Sequence, residues 1–353
     1  MKAKILVRPL RQEDAEALYR LITLPEVARN LLQLPSMEYA ETLAHIENHK
    51  PEQHRLVAEI DGEAVGNISL TVESSPRRRH AARLGLYVGP AYWNQGVGSH
   101  LMAAALDLAD NWLNLKRVQL EVMTDNDAAI HLYQKFGFEI EGCRRYATYG
   151  GGRWADEYVM ARLSPDFAAQ PPPTTPPLLS STTPSAPPLP ITIRPPRQED
   201  LEGWYELLRQ RAICRGTARI PSIELPAAAE RLNMRQPGLY RFVALDGHKL
   251  VGQIHLWQPP NPRLSHCGEL GLSVHEDYWN RRIGSRLMDH ILDLADNWLN
   301  LKRVELDVFT DNPAAIHLYE KKGFVHEGTR RFFSFGDGRW AHTHFMARIR
   351  PRE

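Results

Sequence analysis

The stretch YWNQGVGSHLM, residues 92–102, follows an alternating apolar run, ARLGLYV (82–88), and opens a segment with helical apolar spacing. A strand, a turn with two glycines and a helix are therefore expected. A helix N-terminus presents backbone N–H groups without intrahelical partners and the positive end of its dipole. Glycine admits positive φ and lets a ligand approach the backbone closely. Together these make a cradle for a phosphate or pyrophosphate. Taken alone, two glycines at such a junction equally describe a tight turn.

The stretch has an echo. YWNRRIGSRLM occupies 278–288, exactly one repeat later, with Arg282 where the first copy has Gly96. LDLADNWLNLKRV at 106–118 recurs unchanged at 292–304, and TDNDAAIHLY (124–133) returns as TDNPAAIHLY (310–319). The offset is constant at 186, so no insertion or deletion separates the copies. A repeat this long is a duplicated domain rather than a solenoid unit. Between the copies, 164–190 contains ten prolines and reads as an extended, semi-rigid spacer. The expected organisation is a domain over 1–163, a linker over 164–190 and a second domain over 191–353.

Within one copy, residues 4–9 read as a strand, and Asp14–Leu21 and 38–48 as helices. HRLVAEI and EAVGNISLTVE, joined by Asp61-Gly62, read as a hairpin. Then come the strand 82–88, a helix over 97–113, a strand over 117–123 and a helix over Asn126–Phe136 closed by Gly137. Strands at 138–146 and 154–163 complete an α/β domain built on a mixed, largely antiparallel twisted sheet flanked by helices.

Two motifs at this separation resemble the GNAT superfamily of acyl-CoA-dependent N-acyltransferases. The family's phosphate loop, Gln/Arg-x-x-Gly-x-Gly/Ala, is matched by Trp93-Asn94-Gln95-Gly96-Val97-Gly98, with Trp in the first position. Its second signature is matched by Asn126, Ala129, Tyr133, Gly137 and Phe138. The likeness covers essentially all of each half, so two tandem GNAT domains are expected. The whole pattern, with IDG, DNWL and MAR, is similar to bacterial L-amino-acid N-acetyltransferases.

The resemblance implies acetyl-CoA as co-substrate, anchored by the backbone of Gln95, Gly96, Val97, Gly98 and Ser99. It implies that the strand edge around Leu86, Tyr87 and Val88 holds the pantetheine and meets the thioester carbonyl. Asn126 would steady the cofactor arm, and Tyr133 would protonate the leaving thiolate, since a phenol keeps its proton at neutral pH. In the second copy Leu272, Val274, Arg282, Gly284, Ser285, Asn312 and Tyr319 inherit these parts. Arg282 either strains the loop and fills the pyrophosphate's space, or adds a cation to it. The second domain is thus the candidate for a degenerate copy, and the first for the active one.

The general base is open. Glu269 lies on the strand before the second phosphate loop, where the first copy has Arg83. Glu121 and Asp307, on the next strand, face either the cleft or solvent, and a water chain can serve instead. Arg77 and His80, matched by Arg263 and His266, suit a substrate carboxylate and a proton shuttle, or are a loop arginine and a satisfied core histidine. Asp156, which becomes His342, could neutralise a substrate ammonium or be a plain strand-end charge.

Composition bounds the rest. Residues 1–163 carry 19 Lys and Arg against 21 Asp and Glu, and 191–353 carry 24 against 20. Neither balance suggests nucleic-acid binding. No apolar run approaches the ~20 residues of a membrane span, and the N-terminus has no secretory pattern. Three scattered cysteines give no disulfide framework and no metal-ligand spacing. A cytoplasmic enzyme without a metal is expected, transferring acetyl to a small amine, an amino acid foremost. The competing acceptors are a protein or peptide, a polyamine or an antibiotic. A competing reading makes the C-terminal half a non-catalytic acyl-CoA-sensing module. A homo-oligomer, or a pairing of the halves, is compatible with the sequence.

Overall fold

A computed structural model describes residues 4–169 and 189–351. The chain divides into two compact units, Met1–Pro171 and Pro172–Glu353. The first unit runs β1 (Leu6–Pro9), α1 (Ala15–Ile22), α2 (Pro25–Ala28), α3 (Tyr39–Glu47), β2 (Gln53–Ile60), β3 (Glu63–Val72), β4 (Ala81–Val88), α4 (Val97–Asp107), β5 (Arg117–Met123), α5 (Asp127–Lys135), β6 (Glu139–Gly150), β7 (Arg153–Leu163) and α6 (Pro165–Ala168). The second repeats it: β8 (Ile191–Arg194), α7 (Leu201–Arg209), α8 (Arg211–Arg215), α9 (Leu225–Asn233), β9 (Leu239–Asp246), β10 (Lys249–Trp257), β11 (Cys267–Val274), α10 (Ile283–Asp293), β12 (Arg303–Phe309), α11 (Pro313–Lys321), β13 (Val325–Gly336) and β14 (Arg339–Ile349).

Strand order in the first unit is β1-β2-β3-β4-β5-β7-β6, and in the second β8-β9-β10-β11-β12-β14-β13. One pair per unit is parallel, β4 with β5 and β11 with β12. The hairpin turn has positive φ at both Asp61 (49°) and Gly62 (85°), as a two-residue turn matching the sheet twist requires. Each sheet buries both faces. Ile68, Leu70, Leu101, Met102, Leu120 and Met160 belong to one cluster with α4, while Leu18, Val57 and Ala64 pack with Leu21, Ile46 and Tyr87 on the other face. In the second unit Ile254, Leu256, Leu287 and Leu306 share one cluster, and Trp204, Leu207, Leu208 and Leu232 another.

Two local differences from the sequence expectation have simple causes. The helix expected over 97–113 is α-helical to Asp107 and then widens into a π turn, Leu108–Trp112, closed by Leu113 N–H to Leu108 C=O at 3.0 Å. Residues 165–168, read as part of the spacer, form α6 instead. There Phe167 is buried with the Lys116 ammonium 5.6 Å from its ring centre, so the first unit keeps an apolar residue the proline count had given to the linker. Residues 170–188 of the expected linker lie outside the described residues.

Candidate active site

The site begins with a failure of pairing. β4 and β5 pair at Ala81–Arg117, Ala82–Val118 and Arg83–Gln119, then diverge, although β4 continues to Val88 and β5 to Met123. β3 stays paired with β4 as far as Val88. One edge of β4, about 16 Å long at strand rise, is therefore left open on the β5 side. The second unit opens at the same register, after Cys267–Arg303, Gly268–Val304 and Glu269–Glu305. A buried ion pair pins the closed end: Arg117 meets Glu141 at 2.6 Å, and Arg303 meets Glu327 at 2.7 Å.

The quoted stretch stands at the open end. Asn94 (φ 60°) and Gly96 (φ 87°) are left-handed, and they turn the chain so that α4 starts at Val97. The first bond of the helical ladder is His100 N–H to Gly96 C=O, 3.1 Å. The N–H groups of Val97, Gly98 and Ser99 precede that ladder and face out of the helix end. The Trp93 indole folds back and donates to the Val88 carbonyl at 2.7 Å, tying the loop to the strand. Gln95 donates to Ala91 C=O through its side chain. Trp93 thus has a structural reason to stand where the family pattern has Gln or Arg.

The two glycines do different work. Gly96 supplies the positive φ, and a Cβ there would meet nothing nearer than 3.8 Å. Gly98 has no unusual φ; a Cβ there would come within 3.0 Å of Leu132 Cδ2, so it lets α4 lie close to α5. Gly284 does the same against Leu318. Arg282 keeps the left-handed turn at φ 61°, with Asn280 at 62°, and its side chain is exposed. Of the two features in question at Arg282, the left-handed backbone is retained and the side chain is open to solvent. Trp279 repeats the strap to Val274 C=O at 2.8 Å.

Leu86, Tyr87 and Val88, with Leu272 and Val274, lie beyond the divergence on the open strands. Tyr133 projects from α5 into the core, with its ring 5.9 Å from Phe138, and burial pushes its hydroxyl up to about 12. Tyr319 matches it beside Phe324, also pushed up to about 12. Both phenols therefore hold their protons across the neutral range. Asn126 caps α5 by accepting from Ala129 N–H at 3.2 Å, and Asn312 accepts from Ala315 N–H at the same distance. One lone pair of each oxygen is thus used by the helix, and the amide nitrogen and the second lone pair are left for a cofactor. Ser99 and Ser285 sit in the first turns of α4 and α10.

Glu269 is exposed and occupies the last parallel pair before the strands part, on the face opposite α10. Arg83, its counterpart, bonds Glu73 at 3.0 Å. Glu121 is exposed, and Asp307 is paired with Arg330. Arg77 and His80 stand at the closed end of β4, away from the divergence. Arg77 is buried in the turn Pro76–Arg78, and the His80 carbonyl accepts from Lys116 N–H at 2.8 Å. Arg263 and His266 are buried likewise.

Asp156 has a structural task. It accepts from the Tyr146 N–H at 2.8 Å, where β6 slips register and Tyr146 takes φ 54°. His342 accepts from Phe332 N–H at 3.0 Å over the same irregularity, with Phe332 at φ 49°. The Asp-to-His change between copies therefore preserves one bulge bond, so Asp156 has a structural task at the end of its strand. His255 stands where the first copy has Ser69, and its ring lies on Gly271 of β11.

No helix among the described residues is long and apolar enough to cross a membrane. The family model described as "Acetyltransferase (GNAT) family" matches residues 16–138 and 201–324. An L-amino acid N-acetyltransferase, AaaT, of Escherichia coli is 38% identical over 164 residues, covering 46% of this chain and 99% of that protein. A spermidine N(1)-acetyltransferase of the same species is 27% identical, covering 47% and 89%. The crystal structure of a GNAT-family acetyltransferase from Streptococcus pneumoniae is 30% identical and covers 46% of this chain and 100% of that one, at a TM-score of 0.40. With its family's domain matched twice along its length, the chain belongs to the acetyltransferase (GNAT) family.

Proposed function

We propose that the chain is an acetyl-CoA-dependent N-acetyltransferase for the amine of a small metabolite, an amino acid foremost, and that both units bind acetyl-CoA. The observation carrying this reading is the open β4 edge leading into a left-handed turn and a bare helix N-terminus, present in both units. An anionic pyrophosphate suits the N–H groups of Val97, Gly98 and Ser99 and the dipole behind them. In the second unit Ile283, Gly284 and Ser285 would do this, with the Arg282 charge close by.

An extended pantetheine suits the free edge of Leu86–Val88 and of Leu272–Val274. A backbone N–H on that edge polarises the thioester carbonyl and stabilises the oxyanion. The neutral acceptor amine attacks the carbonyl carbon and its nitrogen gives up a proton to water; the carbon–sulfur bond breaks, and the thiolate takes a proton from Tyr133 or Tyr319, which is reprotonated from solvent. Glu269, at the mouth of the divergence, would draw the substrate ammonium toward the second cleft. The amino-acid acceptor is supported by the 38% identity to an L-amino acid N-acetyltransferase along nearly all of that protein's length.

The test is thiol release from acetyl-CoA with L-amino acids, spermidine and short peptides as acceptors. Amino acids are expected to give the highest kcat/KM. The variant Tyr133→Phe/Tyr319→Phe is expected to lower kcat at least ~100-fold, the scale of general-acid catalysis, with the KM for acetyl-CoA little changed. A peptide or polyamine preference overturns the acceptor assignment, and an unchanged kcat in the double variant removes the phenols.

A further inference from the structure

The two units differ sharply at one patch of their last hairpin. In the first, Ile140 pairs across the sheet with Met160, and Cys143 with Tyr158, on either side of a register slip in β6. Tyr158 packs against the main core cluster there. The second unit carries His326, Thr329 and His344 at the positions of Ile140, Cys143 and Tyr158. His326 lies opposite Met346 and Thr329 opposite His344, again with a slip between them, and His344 faces Val308 of β12. Met346 and Val308 belong to the cluster packed under α10, so the three changed side chains share that face of the sheet. The slip draws them together. His326 Nε2 is 3.0 Å from His344 Nδ1 and 3.1 Å from Thr329 Oγ1, and Oγ1 is 2.8 Å from Nδ1.

We propose that His326 and His344, with the Thr329 hydroxyl beside them, form a binding site for a divalent transition-metal cation that takes nitrogen ligands at right angles, of the Cu2+ and Ni2+ kind, and that the C-terminal unit alone has it. The site lies on the β13–β14 hairpin and stands or falls independently of the acetyl-transfer reading.

The triangle of polar atoms fits a cation better than it fits protons. The hydroxyl carries one proton and each neutral ring one N–H, so a chain from one ring through Thr329 to the other serves two edges and leaves the third without an aligned donor. A cation above the triangle meets a lone pair from all three atoms. Bonds of about 2.1 Å at right angles place two nitrogens ~3.0 Å apart and their ring centres ~4.6 Å apart, whereas tetrahedral angles at that bond length need ~3.4 Å between nitrogens. An in-line N–H···N bond between imidazoles would hold the ring centres about 5.3 Å apart. The observed centres are 4.4 Å apart, close to the right-angled arrangement.

The surroundings agree. Burial, then the neighbouring His326, hold the His344 imidazole below its ordinary value, so it is neutral and able to ligate at neutral pH. The nearby Arg330 guanidinium lies against the Phe345 ring, 4.7 Å from its centre, and pairs with Asp307; Phe345 alternates with His344 along β14 and so belongs to the opposite face. Among the described residues no three His, Cys, Asp or Glu side chains gather as a metal group. The site is therefore a two-imidazole chelate whose other positions are filled by water, an exchangeable site on an exposed hairpin rather than a resident centre.

The experiment is isothermal titration of NiCl2 into the full chain, beside His344→Tyr and His326→Ile, each of which restores the residue the first unit already accommodates at that place. Wild type is expected to take up one Ni2+ more tightly than any other, and each variant to weaken that site at least ~10-fold, the loss of one ligand from a chelate. Electron paramagnetic resonance of the Cu2+ complex should show coupling to two nitrogens in wild type and to one in His344→Tyr. Importing the set into the first unit, as Ile140→His/Cys143→Thr/Tyr158→His, should add a second site of similar affinity. Unchanged Ni2+ affinity in both single variants, or no Ni2+ uptake by wild type up to millimolar concentration, overturns the proposal. Should His344→Tyr fail to fold, His326→Ile, at an exposed position, decides alone.

Discussion

Replacing Arg282 with glycine separates two opposed effects. Arg282 holds φ 61° at the N-cap of α10, a conformation that costs a residue with a Cβ about 1–2 kcal/mol. Glycine relieves that strain but gives back roughly 0.5–1 kcal/mol through its greater freedom in the unfolded chain. The net expectation is a C-terminal unit more stable by about 0.5–1 kcal/mol, a rise in Tm of roughly 1–4 °C. Ligand binding should move the other way. The exposed Arg282 charge contributes to the pyrophosphate on the scale of a solvent-exposed ion pair, about 0.2–1 kcal/mol, so the variant should bind acetyl-CoA roughly 1.5- to 5-fold more weakly at that site. High salt should erase the difference. Differential scanning calorimetry reads the first effect and isothermal titration at low and high salt the second. A variant that binds acetyl-CoA more tightly would show that Arg282 blocks the cradle, and a lower Tm would show that the loop is not strained.

Three further outcomes are expected. Gly98→Val should cost the N-terminal unit about 1–3 kcal/mol by forcing α4 off Leu132, read as a lower urea midpoint, whereas Gly62→Ala, which meets no neighbour but sits at φ 85°, should cost only about 1 kcal/mol. Burial raises the Asp14 carboxyl, but its bonds to Arg8 (2.7 Å) and the Arg11 N–H prevail and hold it below its ordinary value. Its contribution is therefore complete above the unfolded carboxyl range and lost as pH falls through the folded value; Asp14→Asn should cost about 2–3 kcal/mol at pH 7, with Glu59 still holding Arg8, and much less at pH 2, by denaturant titration at both pH values. Asp156→Ala should lower stability by about 1–3 kcal/mol by orphaning the Tyr146 N–H, while leaving the KM for the acceptor unchanged, because that carboxylate serves the bulge.

The fold was legible because its signals are local and doubled. The Asp61-Gly62 turn, the alternation in 117–123 and the two motifs each mark an element directly, and the constant offset repeats every one of them. Site geometry was legible only where it is backbone-driven. Gly96 and Gly98 look alike in a sequence, yet one serves φ and the other a helix contact, a distinction that exists only after α5 has packed on α4. Asn126 read as a cofactor ligand, but its position before α5 makes it a cap as well. Asp156 stayed open between a substrate ammonium and a plain strand-end charge, because the register slip that it and His342 both serve carries no residue signature. Arg77 and His80 had suitable chemistry for a carboxylate, and only the strand register assigns them to the closed end. His255 carried no motif; its place follows from β10 pairing with β11 and from a glycine that sequence reading had no reason to connect with it.

The central claim is that both copies retain a working cradle, and its most direct test is isothermal titration of acetyl-CoA into the full chain. Two sites per chain, one removed by Gly98→Val and the other by the matching Gly284→Val, is the expected result. A single site surviving Gly284→Val would make the second unit a partner domain whose loop has stopped binding, and no site at all would contradict acetyl-CoA as the co-substrate.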